Sequence, residues 1–559
     1  MNGNMMHLPL TIPSLLAFAA SRHRDTEVVS CHSGGRHRRS YGEVWGRVNR
    51  LAKALLELGV RRGDRVGTIA YNDSRHFELY YAVPSIGAVC HTINPRLDPE
   101  NLRYVVAHAD DRLLFVDARL LDAVLGALPD YPLQRLIALE DAAQPARPAT
   151  LRYEDLLTAQ SDAALNIAIG EEEASGLCYT SGTTGRPKGV LYSHRSTVLF
   201  ALAMCSANST AVSALDAVLP AVPMFHVNAW GMPHAAPMAG AKLVLPGADL
   251  SGRHLATLFN EEQVSLAIGV PTIWNGLLEH LGGSGDRLPA GIRLGVGGSA
   301  LPRKMIDAFE GMHGATMIHG WGMTETSPTG AAGIAHHASR ALPVEDLRTL
   351  RETQGHALWG IDLRLVDDDS GEVAADGKTA GHLQVRGHWV ANAYFNEPQH
   401  DAFRDGWFDT GDIATIDERG FLTLTDRAKD IIKSGGEWIS SVALENIAQT
   451  HPAITEAAVI AVPHPKWQER PLLIAVRAQS SEITEAELLG HFDDKVPSWW
   501  RPDAVMFATA LPRNGNGKVI KSQLRERFAA EPILQRSIVD STGGWFREDY
   551  PDQQIWATG

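Results

Sequence analysis

Between about residues 40 and 320, short apolar runs alternate with longer stretches whose apolar residues recur at helical spacing. "YGEVWGRVNRLAKALLELGV" is followed by "DRVGTIAY", "LRYVVAHA" by "DRLLFVD", and "VSLAIG" by "VPTIWNGLLEHL". A fully apolar strand must be covered on both faces, and a parallel neighbour can be reached only through a crossover. The alternation therefore predicts mostly parallel sheets with helices packed on them. From about 355 to 426 the texture changes to short alternating segments such as "LRLVDDDSGEVAADGKTAGHLQVRG" and "GFLTLTD", which predict hairpins. A shorter mixed region follows "DRAKDIIKSGGEW". With 559 residues, 44% of them hydrophobic and 21% charged, the chain has mass for several domains and an ordinary globular composition.

Its formal charge of −14 disfavours nucleic acid and anionic membrane as bulk partners. Four cysteines, Cys31, Cys90, Cys178 and Cys205, lie far apart without metal-ligand spacing, which points to a reducing cytoplasm. The opening stretch "MNGNMMHLPLTIPSLLAFAASRHRD" has no Lys or Arg ahead of its apolar run, so an amphipathic helix is expected there and not a secretory signal. No run of about 18 apolar residues occurs, so no membrane span is expected.

The stretch "YTSGTTGRPKGV", Tyr179–Val190, fits no regular element. Its glycines allow the backbone to turn with N–H groups inward, forming a nest for an anion. Thr180, Ser181, Thr183 and Thr184 add hydroxyl donors around Gly182, and Lys188 adds a mobile charge. The strand-like "GLCY" before it and the helical "SHRSTVLFALAM" after it frame it as a phosphate loop. It is not a Walker A loop, because the spacing to the Gly-Lys pair fails. Gly371 to "GKT" at Gly377–Thr379 also has the wrong spacing and reads as a turn.

This stretch resembles the signature of the adenylate-forming superfamily, which includes acyl-CoA synthetases, luciferases and peptide-synthetase adenylation domains. The resemblance extends over nearly the whole chain through "PMFHVNAW" (223–230), "GVGGSALP" (295–302), "HGWGMTETSP" (319–328), "GWFDTGD" (406–412), "DRAKDIIKSGGEWIS" (426–440) and "LPRNGNGKVIK" (511–521). It implies an α/β fold: a large N-terminal domain, 1–426, of two helix-covered, mostly parallel sheets plus a small β-barrel, and a smaller mobile α+β domain, 427–559. It implies ATP, Mg²⁺ and coenzyme A as the small molecules used, and a homodimer formed through the N-terminal region.

By the same resemblance, a carboxylate attacks the α-phosphate of ATP, and the thiol of coenzyme A then displaces AMP. Glu325 would ligate Mg²⁺ with the Thr180 hydroxyl nearby, and Thr324 would donate to the α-phosphate. Trp321 and the Gly320–Gly322 backbone would form the adenine slot, Trp321 standing where the family often has Tyr; a packed core ring is the alternative. His319, at the head of the same motif, would be among the cofactor-binding residues. Gly298 and Ser299 would pass against the adenosine. "GVGGSALP" is no nucleophile elbow, since Leu301 stands where a glycine is needed. Asp412 would accept from the ribose diol, Arg427 would reach ribose and phosphate, Lys429 would be the hinge, and Lys433 would contact nucleotide. Lys518 would sit between the attacking carboxylate and the α-phosphate, while Lys521 is expected to be solvated.

For the acid, the amino-acid-activating relatives carry an Asp after the Phe of "PMFH"; here His226 follows Phe225. The segment instead resembles medium- and long-chain fatty acyl-CoA synthetases, with Trp230 gating an acyl tunnel and His226 and Val227 at its junction with the nucleotide site. The same motifs occur in ligases for short thioether acids such as methylmercaptopropionate, so chain length stays open. A luciferase-like oxygenase would share every motif. An inactive binding homologue would typically have lost Glu325 or Lys518, and both are present.

Overall fold

The computed structural model describes residues 3–32, 35–140, 150–180, 186–334, 339, 342–369, 371–435, 437–479, 481–513 and 519–530. The chain divides into two compact units: Met1–Leu363 with Val385–Phe408 and Gly420–Leu422, and Arg364–Gln384 with Asp409–Arg419 and Thr423–Gly559.

The first unit holds the two expected sheets. A nine-stranded sheet runs, in spatial order, through strands His356–Ala357, Thr329–Ala332, Thr316–Gly322, Arg293–Val296, Leu266–Gly269, Ala217–Pro220, Lys242–Leu245, Glu27–His32 and Gly35–Ser40. Its middle is parallel and its two ends close with antiparallel pairs. A seven-stranded sheet runs through Leu151–Arg152, Arg135–Leu139, Leu113–Asp117, Arg65–Ile69, Val89–Thr92, Ala174–Tyr179 and Gly189–Ser193. The central strands are buried along their length, as expected of strands covered on both faces. Leu255, Phe259, Trp274, Leu277 and Phe309 pack in the core of the larger sheet, and Val105, Val106, Leu114 and Val124 in that of the smaller. Helices begin where the sequence supplies caps: the Ser40 hydroxyl accepts from the Glu43 N–H, and the Glu43 carboxylate accepts from the Ser40 N–H, before helix Tyr41–Glu57. The expected N-terminal helix spans Ile12–Arg22. No helix among the described residues is long and apolar enough to cross a membrane.

Both framing elements are found, the strand at Ala174–Tyr179 and the helix at His194–Cys205 capped by Ser193. Between loop and helix lies a strand that was not expected, Gly189–Ser193, antiparallel to Ala174–Tyr179. Val190, Leu191 and Tyr192 favour a strand, and Ser193 caps the helix by accepting from the Ser196 N–H. The loop is thus the tip of a hairpin, without a helix N-terminus at its end. The expected barrel is a five-stranded sheet of Ile361–Val366, Gly381–Gly387, Trp407–Ile416, Phe403–Arg404 and Leu422–Arg427. The discarded Gly377–Thr379 pattern is a turn: Asp376 accepts from the N–H groups of Lys378 and Thr379, and these bonds hold its carboxyl down at about 2.

In the second unit, strands Glu437–Ile439, Ile432–Ser434, Gln468–Arg477, Ile454–His464 and Ala504–Ala508 form a sheet with helices Ser441–Gln449, Glu485–Gly490 and Lys521–Ala530. Ile432, Leu444, Leu473 and Phe492 lie in its core. This is the expected α+β arrangement.

Candidate active site

In the first unit the candidate residues follow the carboxyl ends of strands, where open α/β sheets bind ligands. Thr180 follows Ala174–Tyr179, Phe225 and His226 follow Ala217–Pro220, Gly298 and Ser299 follow Arg293–Val296, and Thr324 and Glu325 follow Thr316–Gly322. Ser181, Gly182, Thr183 and Thr184 lie outside the described residues, as does Lys518.

The two ends of the loop are tied together. The Thr180 N–H donates to the Lys188 carbonyl (2.9 Å), and the Lys188 N–H donates back to the Thr180 hydroxyl (3.1 Å). The Lys188 ammonium lies 4.9 Å from the centroid of the Tyr394 ring and 2.5 Å from Nε2 of His400. Tyr394 donates its hydroxyl hydrogen to Oε1 of Glu325 at 2.7 Å. Burial and the Glu325 charge push the Tyr394 phenol well above its ordinary value, so it stays a donor. Tyr192 donates to the Thr324 carbonyl (2.8 Å), and the Ala391 N–H donates to the Glu325 carbonyl (2.8 Å). Thr324 and Glu325 are buried, both held at their backbone carbonyls and Glu325 also at its carboxylate. A buried carboxylate and a nearby threonine hydroxyl are the hard oxygen donors that Mg²⁺ takes alongside phosphate oxygens.

The segment Val227–Trp230 is a left-handed turn. Val227, Asn228, Ala229 and Trp230 have φ of 45°, 54°, 46° and 50°, and Gly231 continues at 74°. Such geometry costs about 1–2 kcal/mol per L-residue, and more is at stake for β-branched Val227. The segment leading into it is clamped by side chains from far earlier in the chain. Asn72, buried at 3% exposure, donates to the carbonyls of Pro220 (2.9 Å) and Val222 (2.8 Å) and accepts from the Met224 N–H (2.7 Å). Tyr80 donates to the Met224 carbonyl, and Thr92 donates to that of Phe225 (3.3 Å). Strain held this firmly clusters at functional sites. His226 precedes the turn, half-buried, its N–H donating to the Pro223 carbonyl. Trp230 ends the turn with its indole beside Gly297, where an added Cβ would meet the ring at 3.0 Å.

His319 pairs across the parallel sheet with Val296, one strand away from Gly298 and Ser299, which are exposed. Its Nδ1 shares a hydrogen bond of 2.9 Å with the Glu352 carbonyl, and burial lowers its pKa. Gly320 is half-buried, with its carbonyl facing Gly297. Trp321 is 4% exposed and packs on Gly330, where a Cβ would approach its ring to 2.5 Å. The ring is thus a packed wall beside the Gly320–Gly322 backbone.

The second unit brings together Asp412 and Arg427: the guanidinium Nε lies 2.8 Å from Asp412 Oδ1. Asp412 is buried, and its backbone N–H donates to the Thr410 hydroxyl oxygen (3.1 Å). Lys429 is exposed, and partial desolvation lowers its pKa against the opposing pull of Asp430. Lys433 is exposed, 5.7 Å from the Trp438 ring centroid. Lys521 is not solvated as expected. Its ammonium is 2.7 Å from Glu445 and 2.6 Å from the Ser441 hydroxyl, whose hydrogen goes to Asp426 (2.6 Å). Burial opposes its charge, but Glu445, Asp426 and Asp430 outweigh burial and raise its pKa.

Asn72, Tyr192, Tyr394 and His400 were not legible as site residues. Each lies far along the chain from the motif it supports, in no spacing that a sequence pattern encodes.

Residues 16–395 match the AMP-binding enzyme family and residues 443–518 the AMP-binding enzyme C-terminal domain. The chain belongs to the AMP-binding enzymes. This AMP-binding enzyme is 49% identical over 535 residues to the 3-methylmercaptopropionyl-CoA ligase of Ruegeria lacuscaerulensis, covering 94% of this chain and 99% of that protein. It is 48% identical over 544 residues to the medium-chain-fatty-acid–CoA ligase of Ectopseudomonas oleovorans, covering 96% and 99%. Among solved structures it shares the fold of the anthranilate CoA ligase AuaEII in complex with anthranoyl-AMP, with a TM-score of 0.82 at 23% identity over 95% of this chain and 100% of that one. It is an acyl-CoA synthetase, an AMP-forming acid–thiol ligase that works through an adenylate.

Proposed function

We propose that this enzyme ligates a medium- or long-chain fatty acid to coenzyme A, with Mg²⁺-bound ATP as the activating nucleotide. The observation that carries the proposal is the strained turn ending in Trp230. Its indole stands beside Gly297 with no side chain between them, and buried Met232 follows it. A large apolar ring in this position suits a gate on an apolar channel better than a pocket for a charged acid. His226, in place of an acid after Phe225, supplies no partner for an α-ammonium.

In this reading the loop tied at Thr180 and Lys188 cradles the β- and γ-phosphates, and Thr324 donates to the α-phosphate. Glu325, oriented by Tyr394, would hold Mg²⁺ jointly with nucleotide phosphates and Thr180; when bound, the ion neutralises phosphate charge. Among the described residues no three His, Cys, Asp or Glu side chains gather to hold an ion alone. Asp412 accepts from the ribose diol with Arg427 at its side. Lys518 offsets charge during carboxylate attack, and the segment from 427 onward rotates about Lys429 for the thioester step.

A second reading keeps the mechanism and changes the acid. The 49% identity to a 3-methylmercaptopropionyl-CoA ligase favours a short thioether acid. The test is pyrophosphate release with ATP and Mg²⁺ across straight-chain acids of two to eighteen carbons and one thioether acid, with and without coenzyme A. A coenzyme A-dependent peak at eight carbons or longer supports the fatty-acid reading. A peak at four carbons or with the thioether acid replaces it with the second.

A further inference from the structure

We propose that His400 is a phosphate ligand, donating from Nε2 to the pyrophosphate portion of the bound nucleotide beside Lys188. The proposal rests on the reading that the loop carrying Lys188 binds the nucleotide's phosphates. The first observation is the proton inventory of the ring. The Ala402 backbone N–H donates to His400 Nδ1 at 3.1 Å. A neutral imidazole has one acceptor and one donor nitrogen, so Nδ1 is the acceptor and the ring hydrogen sits on Nε2. The second observation is what Nε2 faces: the Lys188 ammonium nitrogen, 2.5 Å away. Two donors therefore converge on one place.

Among the described residues nothing nearby resolves that convergence, and the other contact of the ammonium is the Tyr394 face, which offers no lone pair along a hydrogen-bond direction. The Tyr394 hydroxyl gives its hydrogen to Glu325 and the Thr180 hydroxyl oxygen accepts the backbone N–H of Lys188; neither oxygen is a hydrogen-bond partner of the Lys188 ammonium, whose contacts among the described residues are the His400 ring nitrogen and the Tyr394 face. Converging donors without an acceptor between them define an anion position, as in oxyanion and phosphate sites generally. A phosphate oxygen entering there would accept from both Nζ and Nε2 and draw them apart. The donor set sits at the end of the loop next to Glu325, which is where the leaving pyrophosphate must be held. The alternative is that the ring merely fills space, packed edge-on against Tyr394 (4.8 Å) and against Phe403 (6.4 Å).

His400→Phe separates the two, since it keeps the ring packing and removes both nitrogens; His400→Gln restores a donor. Pyrophosphate release is measured with ATP varied at saturating acid and coenzyme A, with added pyrophosphate and AMP as inhibitors. The expected result for His400→Phe is a rise in KM for ATP of roughly tenfold or more, with a matching loss of inhibition by pyrophosphate. Inhibition by AMP, which lacks the β- and γ-phosphates, stays unchanged, and His400→Gln recovers most of the loss. An unchanged KM for ATP and unchanged pyrophosphate inhibition in His400→Phe overturns the proposal, as does equal weakening of AMP. If the wild-type enzyme releases no pyrophosphate from ATP with any acid, the underlying phosphate-loop reading falls and takes this one with it.

Discussion

At the scale of single residues, the candidate site is organised by side chains that do no chemistry. Tyr394 carries the clearest example, with its hydroxyl on Glu325 and its face under Lys188. Removing one hydrogen bond to a buried carboxylate costs about 1.5–3 kcal/mol. Tyr394→Phe is therefore expected to slow adenylate formation about tenfold or more and to raise the Mg²⁺ concentration needed for half-maximal rate. A change in maximal thioester formation from supplied acyl-adenylate, with adenylation intact, would contradict this role. Lys518→Ala is expected to lower adenylation by about 10²–10³, the usual loss when a charge-stabilising contact is removed. The mutant should still convert supplied acyl-adenylate to acyl-CoA; equal loss of both half-reactions would contradict the assignment.

At the scale of elements, Lys521 ties helix Lys521–Ala530 to helix Ser441–Gln449 and to the strand end at Asp426 through a buried charge cluster. Lys521→Met leaves Glu445 and Asp426 buried without their cation. Breaking one partner of such a pair typically costs about 3–5 kcal/mol, so denaturant melting of the second unit should shift by that order. A shift under about 1 kcal/mol, the range of an exposed pair, would show the ammonium to be solvated after all. The sequence pattern hid this because a lysine after Gly-Lys on a polar stretch has the composition of a surface turn. The alternating strands and helices were legible because burial on both faces demands apolar runs of fixed period. The hairpin after the loop was harder, since "GVLYS" leads straight into helix-spaced residues. The left-handed turn at Val227–Trp230 was not legible at all. Nothing in Val-Asn-Ala-Trp favours positive φ on every residue, and the bonds that hold the segment leading into the turn come from Asn72 and Tyr80, more than a hundred residues earlier.

At the scale of the whole molecule, two behaviours follow. In the first unit burial holds three histidines neutral: His76 at about 4, His194 at about 4 and His234 at about 3. Their folded values lie below the unfolded value near 6.5, so the unfolded chain binds more protons in between. The stability they contribute is fully present above about pH 6.5 and is lost as pH falls toward 4 and below. At about 1.4 kcal/mol per unit these shifts correspond to upper bounds of about 3.5 kcal/mol for His76 and His194 and about 5 kcal/mol for His234. Acid unfolding should set in below pH 6, and His234→Phe should move the midpoint to lower pH; an unmoved midpoint would show that carboxylates alone drive it. The second is the proposed rotation about Lys429. Lys429→Pro restricts the backbone there and at Ala428. It is expected to leave adenylate formation close to normal and to slow thioester formation severely; unimpaired steady-state turnover would count against Lys429 as the hinge.

The most direct test is a rapid-quench single turnover with α-labelled ATP, Mg²⁺ and the preferred acid. Without coenzyme A, a stoichiometric burst of acyl-adenylate and pyrophosphate should form and persist; added coenzyme A should then convert it to AMP and acyl-CoA. Release of ADP, or formation of AMP only when coenzyme A is present with no adenylate before it, would contradict the account.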